Sequence, residues 1–315
     1  MMIKPVIEQK SDKLFLITLP QDIEGFESFI STWVYKGDVT LVVDPGPSAT
    51  TDLLCRGLSD IGAASPDFFL LTHIHIDHSG GVGDMAKRYP DTSVVCPEKG
   101  IPHLAAPEKL WEGSVKTLGN LAKAYGPISP TPENRLVTPD AFTKAVNNPD
   151  IFAVSTPGHA PHHESYFADG FLFSGEVGGV CLPDETPEGE PLYLRPATPP
   201  RFFYETFVKS IDRLLARPPL QNGGAMICYG HHGCADNAAM LLENHKKQLA
   251  LWKELIGEEM NDAEKPGFVD KMIDKMLEKD PMMAAFRFFS ESVQNRERYF
   301  LTNSVKGFAG YLKNV

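Results

Sequence analysis

Ten consecutive residues decide the fold of this chain: Thr72-His73-Ile74-His75-Ile76-Asp77-His78-Ser79-Gly80-Gly81. Three imidazoles and a carboxylate fall within six residues of this stretch. A solvated loop contains two histidines by accident, but it rarely contains this density of them at the end of a strand. Imidazole and carboxylate groups are good ligands for Zn²⁺, Fe and Mn, so the stretch predicts a metal site.

An apolar run, Phe68-Phe69-Leu70-Leu71, directly precedes these residues. A short apolar block that ends in a polar cluster is typical of an interior strand of an α/β sheet. If the chain stays extended beyond this strand, His73 and His75 point to one side, because strand side chains alternate with a period of two. The two imidazoles are therefore expected to face one pocket.

The glycine pair Gly80-Gly81 closes the stretch. Glycine permits a sharp turn, and we expect a helix to begin near Val82. Asp77 and His78 would then lie in the turn itself. From there they would face the same pocket as the two preceding histidines, but from another direction.

Four further motifs accompany this stretch in the order Val42-Val43-Asp44-Pro45-Gly46, Thr156-Pro157-Gly158-His159, Phe173-Ser174-Gly175-Glu176 and Tyr229-Gly230-His231. Together the five motifs resemble the signature of the metallo-β-lactamase superfamily over residues 42 to 231. The resemblance implies an α/β fold, a metallo-β-lactamase-like four-layer αββα sandwich, here with a C-terminal helical extension. The chain departs from the family pattern at Glu176, where the family usually has Asp.

The resemblance also implies a set of metal ligands. One metal ion would be held by His73, His75 and His159, and a second by Asp77, His78 and His231, with Glu176 bridging the two. Seven ligand-type residues exceed the four ligands of one tetrahedral zinc ion, which independently favours two divalent ions. Zinc is the first choice of metal, with iron or manganese as alternatives. Asp44 would orient ligands from behind them, although Asp before Pro-Gly is also ordinary turn chemistry.

The chemistry that the resemblance implies is hydrolysis of a small ester, thioester or lactone by a dinuclear metal site. A hydroxide that bridges the two ions would be the nucleophile, because cations lower the pKa of water from about 15.7 towards 7. Asp77 is the candidate catalytic residue, since its outer oxygen can accept or relay a proton of that water. The alternatives are phosphodiester hydrolysis, oxygen-dependent diiron chemistry, and a regulator that binds a metabolite without turnover.

Three residues are candidate substrate contacts, because the resemblance places their loop beside the metals: Tyr193, Arg195 and Phe202. Core packing is the alternative for Phe202, and a surface salt bridge is the alternative for Arg195. The adjacent His162 and His163 follow the third motif, and we expect them at the surface or behind the ligands rather than on a metal.

Composition and charge narrow the class of protein. The chain has 315 residues, is 42% hydrophobic and 23% charged, and carries a formal net charge of −11; these proportions are ordinary for a soluble globular protein. The negative charge argues against nucleic-acid substrates, because binding a polyanion needs a cationic surface. No apolar run approaches the roughly 20 residues that span a bilayer, and no secretory signal is evident. The five cysteines are scattered, so we expect reduced thiols in a cytoplasmic protein whose partner is a small molecule.

The order of elements predicts one large domain and an appendage. Residues 1–235 form the predicted metallo-β-lactamase-fold catalytic domain, with an insertion of helix and loop over 101–135. Residues 236–315 form the predicted C-terminal helical extension. Its apolar periodicity predicts two long amphipathic helices and then three shorter ones, over 281–289, 291–300 and 305–312. We expect the extension to pack against the α/β body, and a substrate-pocket or homodimer contact is the alternative.

The motif at residues 229–231 generates a test, because two adjacent histidines cannot both point into one pocket from an extended backbone. We assign His231 as the ligand, since it directly follows Gly230, as in the family motif. His231→Ala is expected to lose metal, and His232→Ala is expected to keep it. Elemental analysis of the purified variants measures the difference. Loss of metal in His232→Ala with full metal in His231→Ala would reverse the assignment.

Overall fold

The computed structural model describes residues 4–314 of the chain. Residues 1–3, at the start of the predicted catalytic domain, and residue 315, at the end of the predicted helical extension, lie outside the described residues. The described chain divides into two compact units. The first contains residues up to 154 together with 164–169 and 230–232, and the second contains 155–163, 170–229 and the residues from 233 onward. The domain boundary predicted at residue 235 stays a prediction.

A seven-stranded mixed sheet belongs to the first unit. Its strands are β1 (Val6–Gln9), β2 (Leu14–Thr18), β3 (Ser31–Lys36), β4 (Thr40–Val43), β5 (Phe68–Leu70), β6 (Ser93–Val95) and β7 (Leu136–Val137). β1 to β4 pair antiparallel in chain order, whereas β4 to β7 are parallel neighbours. Parallel neighbours need long crossover connections, so helices are expected between these strands.

The helices of the first unit are α1 (Thr51–Asp60), α2 (Ile76–Ser79), α3 (Val82–Arg88), α4 (Ile101–Ala105), α5 (Glu108–Leu118), α6 (Asn120–Tyr125) and α7 (Pro139–Val146). α4, α5 and α6 all fall in the predicted insertion. α5 and α6 are separated at Gly119, whose φ of 59° is a left-handed value that glycine adopts without strain. The sequence pattern did not indicate α7, which begins at a proline after Thr138, whose hydroxyl accepts the amide hydrogen of Ala141.

The histidine-rich stretch leaves the sheet earlier than the sequence pattern indicated. β5 ends at Leu70 and α2 begins at Ile76, so a short irregular segment joins them. Asp77 and His78 therefore lie within one turn of helix and not in an open turn. His75 keeps extended backbone at the N-cap of that helix, with φ −62° and ψ 146°. The expected extended chain thus holds at His75 and ends there.

Gly80 and Gly81 serve the close approach of two backbone segments and not a left-handed turn. Both have negative φ values, −57° and −84°. A Cβ atom on Gly81 would lie 2.9 Å from Oγ1 of Thr51 and 3.2 Å from the carbonyl oxygen of Gly46. Gly81 donates its amide hydrogen to that same carbonyl at 2.8 Å. Side chains at these positions would push α2 away from the turn that follows β4.

Two neighbouring strands, β8 (Ile151–Ser155) and β9 (Glu164–Ala168), lie before and after the Thr156–His159 motif, and β9 supports the ligand stretch. The amide of Glu164 donates to the carbonyl oxygen of Thr72 at 2.7 Å. The buried hydroxyl of Tyr166 donates to the carbonyl oxygen of Leu71 at 2.8 Å. β9 therefore satisfies backbone oxygens of the irregular segment after β5, in which the amide of Leu71 still donates to Val95 of β6 at 3.0 Å.

The strands of the second unit are β10 (Phe171–Gly175), β11 (Val180–Cys181), β12 (Leu194–Arg195), β13 (Met226–Tyr229) and β14 (Cys234–Ala235). β10 and β13 are parallel, and β13 and β14 are antiparallel. β11 and β12 form a short antiparallel pair within a segment rich in proline and glycine. The parallel pair ends next to two of the predicted ligand motifs.

The helices of the second unit are α8 (Tyr204–Leu215), α9 (Pro218–Gln221), α10 (Ala238–Gly257), α11 (Phe268–Lys279) and α12 (Glu291–Leu312). α10 and α11 are the two long amphipathic helices that the sequence predicted. The short helices predicted over 291–300 and 305–312 are wrong as separate elements, because one helix of 22 residues, α12, spans both. No proline lies between them, and Ser304 stays helical while its hydroxyl donates to the carbonyl oxygen of Pro196 at 2.8 Å. None of the helices within residues 4–314 is long and apolar enough to cross a membrane.

A buried ion-pair network joins α12 to β12. Oε2 of Glu297 accepts hydrogen bonds from Nε of Arg195 at 2.5 Å and from the hydroxyl of Tyr193 at 3.0 Å. Oε1 accepts from Nε of Arg296 at 3.1 Å. Burial alone would raise the pKa of Glu297, but the charges of Arg195 and Arg296 outweigh it and hold the pKa below its ordinary value. The glutamate is therefore ionised inside the unit.

Glu297→Gln is expected to destabilise the protein by about 3–5 kcal/mol, because it leaves two buried guanidinium groups without their counter-charge. Urea unfolding followed by circular dichroism measures the change. The matched control is Glu264→Gln, which removes an exposed carboxylate that pairs with Lys313 and is expected to leave the stability nearly unchanged, because exposed ion pairs contribute little. Equal costs for the two variants would contradict the role assigned to the buried network.

Candidate metal centre

Five of the seven predicted ligands belong to the first unit, and three of them form a compact donor group. One donor atom from each of Asp77, His78 and His231 lies within 4.8 Å of the other two. Both imidazoles are buried. Two imidazole nitrogens and one carboxylate oxygen are a donor set that suits zinc, iron or manganese. The residues present therefore fit a divalent metal ion at this group.

The other two ligands of the first unit lie beside this group. Nε2 of His73 is 3.0 Å from Nδ1 of His75, so the two rings bring one nitrogen each to the same point. The ring of His73 also lies 4.2 Å from the ring of His78, measured between centroids. Adjacent imidazoles at this distance repel one another when protonated, whereas a shared cation makes the arrangement favourable. Two histidines that bind the same metal ion need ring nitrogens that lie this close together.

Asp44 forms hydrogen bonds with Thr72 and with the candidate ligand His78. Its Oδ1 accepts the amide hydrogen of Thr72 at 2.8 Å, and its Oδ2 accepts the hydroxyl hydrogen of Thr72 at 2.7 Å. Nδ1 of His78 lies 3.0 Å from the same Oδ2. Because a carboxylate accepts, Nδ1 carries the hydrogen, and Nε2 keeps the lone pair that binds a metal. That Nε2 is directed to the side of Asp77, 3.7 Å from its Oδ2.

The two adjacent histidines after Gly230 point to different surroundings. The ring of His231 stacks on Phe29 with centroids 4.2 Å apart, and it lies in the donor group with Asp77 and His78. Nε2 of His232 is instead 3.3 Å from the hydroxyl of Thr18 and 3.6 Å from a carboxylate oxygen of Glu8. The structure thus places His231 among the candidate ligands and His232 against β1 and β2.

The second unit contributes the remaining two predicted ligands as a buried pair. Nε2 of His159 is 2.6 Å from Oε2 of Glu176, and both side chains are less than one tenth exposed. Nδ1 of His159 donates to the carbonyl oxygen of Ala197 at 2.9 Å. A carbonyl oxygen only accepts, so the Nδ1 hydrogen is fixed and Nε2 is the nitrogen presented to Glu176. Glu176, the residue that departs from the family pattern, is therefore directed into protein and not to solvent.

His163 lies behind Glu176, in a position that the sequence did not indicate precisely. It is fully buried, and its Nε2 accepts the amide hydrogen of Glu176 at 3.0 Å. Since Nε2 accepts, Nδ1 donates to the hydroxyl of Thr156 at 2.8 Å. This neutral ring therefore fixes the backbone of Glu176. The sequence showed His163 four residues after the predicted ligand His159. It did not show its partner Glu176, which follows another strand.

The three candidate substrate contacts take part in buried packing of the second unit. Tyr193 and Arg195 bond to Glu297. Phe202 packs on Phe308 with ring centroids 4.9 Å apart. For Phe202 this is the core packing considered as its alternative, and for Arg195 the salt bridge is buried rather than at the surface. Their contact with substrate stays a prediction.

This chain is similar to known proteins in sequence and in fold. The family model described as the metallo-beta-lactamase superfamily matches residues 26–231. A metallo-beta-lactamase fold-containing protein of Sulfurisphaera tokodaii is 25% identical over 76% of this chain and 86% of its own length. A hydroxyacylglutathione hydrolase of Xanthomonas campestris is 25% identical over 71% of this chain and 69% of its own. A solved structure of a metallo-beta-lactamase family protein from Thermus thermophilus has a TM-score of 0.60 at 18% identity, covering 97% of this chain and 95% of that one. The predicted α/β fold class with C-terminal helices is confirmed.

His163→Leu is expected to weaken metal binding by about 10–100-fold, because the buried amide of Glu176 loses its acceptor and a predicted ligand loses its support. His163→Gln retains an acceptor at a similar reach and is expected to recover most of the affinity. Competition with a chromophoric chelator measures both variants. The control is His162→Leu, one residue away, which is expected to bind metal like the unchanged protein. Equal losses of metal affinity in His162→Leu and His163→Leu would contradict the role assigned to His163.

Proposed function

Because the chain belongs to the metallo-beta-lactamase superfamily, we propose that it is a metal-dependent hydrolase of a small thioester, ester or lactone. The observation that carries this proposal is the donor group of Asp77, His78 and His231, with Asp44 fixing the tautomer of His78. Two buried imidazoles and a partly exposed carboxylate with donor atoms this close together suit a divalent cation. Their arrangement, in a chain that belongs to this superfamily, supports a catalytic use.

We assign seven residues as ligands of two divalent ions: His73, His75, Asp77, His78, His159, Glu176 and His231. The set contains nitrogen and oxygen donors and no thiolate, and such a set suits zinc, iron and manganese; zinc is the metal we propose first. Bound ions of this kind lower the pKa of water and polarise a carbonyl oxygen. A bridging role for Glu176 and the choice of metal belong to this proposal.

The residues of the chain have separate tasks in the proposed reaction. Asp77 is partly exposed, with 17% of its side chain accessible, so it can exchange a proton with water or substrate. His78 and His159 each have Nδ1 committed to a fixed acceptor, which keeps their Nε2 atoms oriented. Phe29 stacks on His231 and restricts its ring. This preorganisation reduces the rearrangement that binding and reaction require.

The choice of a thioester draws on the relatives. Hydroxyacylglutathione hydrolases are 25% identical over 71% of this chain, and an acylglutathione is a thioester. The net charge of −11 supports a small substrate over a nucleic acid. Five scattered cysteines suit a reducing compartment, so the cytoplasm is the proposed location. Phosphodiester hydrolysis, oxygen-dependent diiron chemistry and metabolite binding without turnover are the competing outcomes of the test.

Protein purified without chelator is expected to contain close to two metal ions per chain and to hydrolyse an acylglutathione faster than an aryl ester, a lactone or an aryl phosphodiester. Asp77→Asn is expected to lower kcat by about 10²–10⁴-fold, because it removes the proposed proton acceptor. The control is Asp84→Asn on α3, whose carboxylate pairs with Lys87; its activity should be unchanged. Metal-loaded protein that is inert towards all four substrates, or that consumes oxygen only with iron, would overturn the proposal.

A further inference from the structure

Two cysteines face each other across the antiparallel pair of β13 and β14. Cys228 and Cys234 are direct partners in the strand register. The amide of Tyr229 donates to the carbonyl oxygen of Gly233 at 3.1 Å, so Tyr229 and Gly233 form a hydrogen-bonded pair. Hydrogen-bonded and non-hydrogen-bonded pairs alternate along an antiparallel ladder. Cys228 and Cys234 therefore occupy the next, non-hydrogen-bonded position.

This position suits a disulfide bond. Partners in a non-hydrogen-bonded pair have Cα atoms about 4.5 Å apart and side chains on the same face. Disulfides span Cα separations of about 4.4–6.8 Å, a range that includes the separation typical of such a pair. Neither cysteine is in a disulfide bond in the structure. The register thus brings two thiols into bonding range that the spacing in the sequence did not mark as a pair.

The two thiols differ in access. Cys228 is 1% exposed, whereas Cys234 is partly exposed. Of the other cysteines, Cys181 and Cys96 are buried, and burial raises the pKa of Cys96 to about 12. Cys55 is the other partly exposed thiol. Of the two thiols, a reagent from solution therefore reacts first with Cys234. Cys228 then lies next to the modified Cys234.

We propose that Cys228 and Cys234 are a reversible oxidation site that takes a low-molecular-weight disulfide as its oxidant. The thiolate of Cys234 attacks one sulfur of the small disulfide, forming a mixed disulfide and releasing one small thiolate. The thiolate of Cys228 then attacks the sulfur of Cys234, forming the Cys228–Cys234 bond and releasing the second small thiolate. The two protein thiols are oxidised, the small disulfide is reduced to two thiols, and these take up the two protons.

The bond would close a ring around a loop of five residues, Tyr229-Gly230-His231-His232-Gly233. His231 lies at the centre of this loop. A covalent closure one residue beyond each end of the loop restricts the backbone on both sides of the imidazole. We therefore expect oxidation to slow the loss of metal from the site, an effect that rests on the proposed function, whereas the disulfide itself does not.

The test uses full-length Cys55→Ser protein, which lacks the other partly exposed thiol, reduced and then incubated with oxidised glutathione. Both cysteines fall in one tryptic peptide, because no Lys or Arg lies between Arg217 and Lys246. Mass spectrometry is expected to show this peptide lighter by two hydrogens and without a glutathione adduct. Adding Cys228→Ser should instead trap the adduct on Cys234, while adding Cys181→Ser should leave the internal disulfide intact.

A stable adduct on Cys234 in the protein that retains Cys228, or no reaction in the peptide at all, would overturn the oxidation site. The rate of metal release to a chelator, compared between oxidised and reduced Cys55→Ser protein, tests the link to His231. A slower release in the oxidised form supports the link. An unchanged or faster release with the disulfide present would overturn the link alone, and an absent metal would overturn the proposed function without touching the disulfide.

Discussion

The arrangement of ligands in the first unit depends on the hydrogen bonds of a single carboxylate, that of Asp44. Its backbone is left-handed, with φ 52°, a conformation that Asp tolerates at a cost of about 1–3 kcal/mol. The amide of Asp44 donates to the carbonyl oxygen of Leu70 at 2.9 Å, and its own carbonyl accepts from Thr32 at 2.8 Å. With the backbone held on both sides, the side chain reaches Thr72 and His78. A strained residue at a strand end therefore sets both the path of the histidine-rich stretch and the orientation of one imidazole.

Glu176 shows how the second unit accommodates a longer acid. Gly175 precedes it with φ 55°, and Glu176 begins a short 3₁₀ turn rather than continuing β10. The amide of Glu176 is tied to His163, so the turn is fixed at its first residue. Glutamate carries one methylene more than aspartate, and a turn held in this way determines how far the carboxylate extends. The position of the Glu176 carboxylate therefore depends on the imidazole of His163.

Much of the fold was accessible from the sequence because local signals and global packing agree. The apolar run before the histidines forms β5, and the amphipathic periods after residue 236 form α10 and α11. What the sequence could not supply are contacts between distant segments. The place of His163 depends on where Glu176 emerges from β10, and the pairing of Cys228 with Cys234 depends on the register of a short hairpin. α12 runs unbroken through Ser304, whose hydroxyl donates to the carbonyl oxygen of Pro196, a contact that no local pattern shows.

The buried network around Glu297 has a consequence for how the chain is synthesised. Arg195 precedes Glu297 by 102 residues. At translation rates of about 5–20 residues per second, Arg195 waits about 5–20 s for its counter-charge to be made. A guanidinium group is not buried alone, so until then β12 stays hydrated and its neighbours stay exposed. The second unit thus reaches its native packing only after α12 has been synthesised.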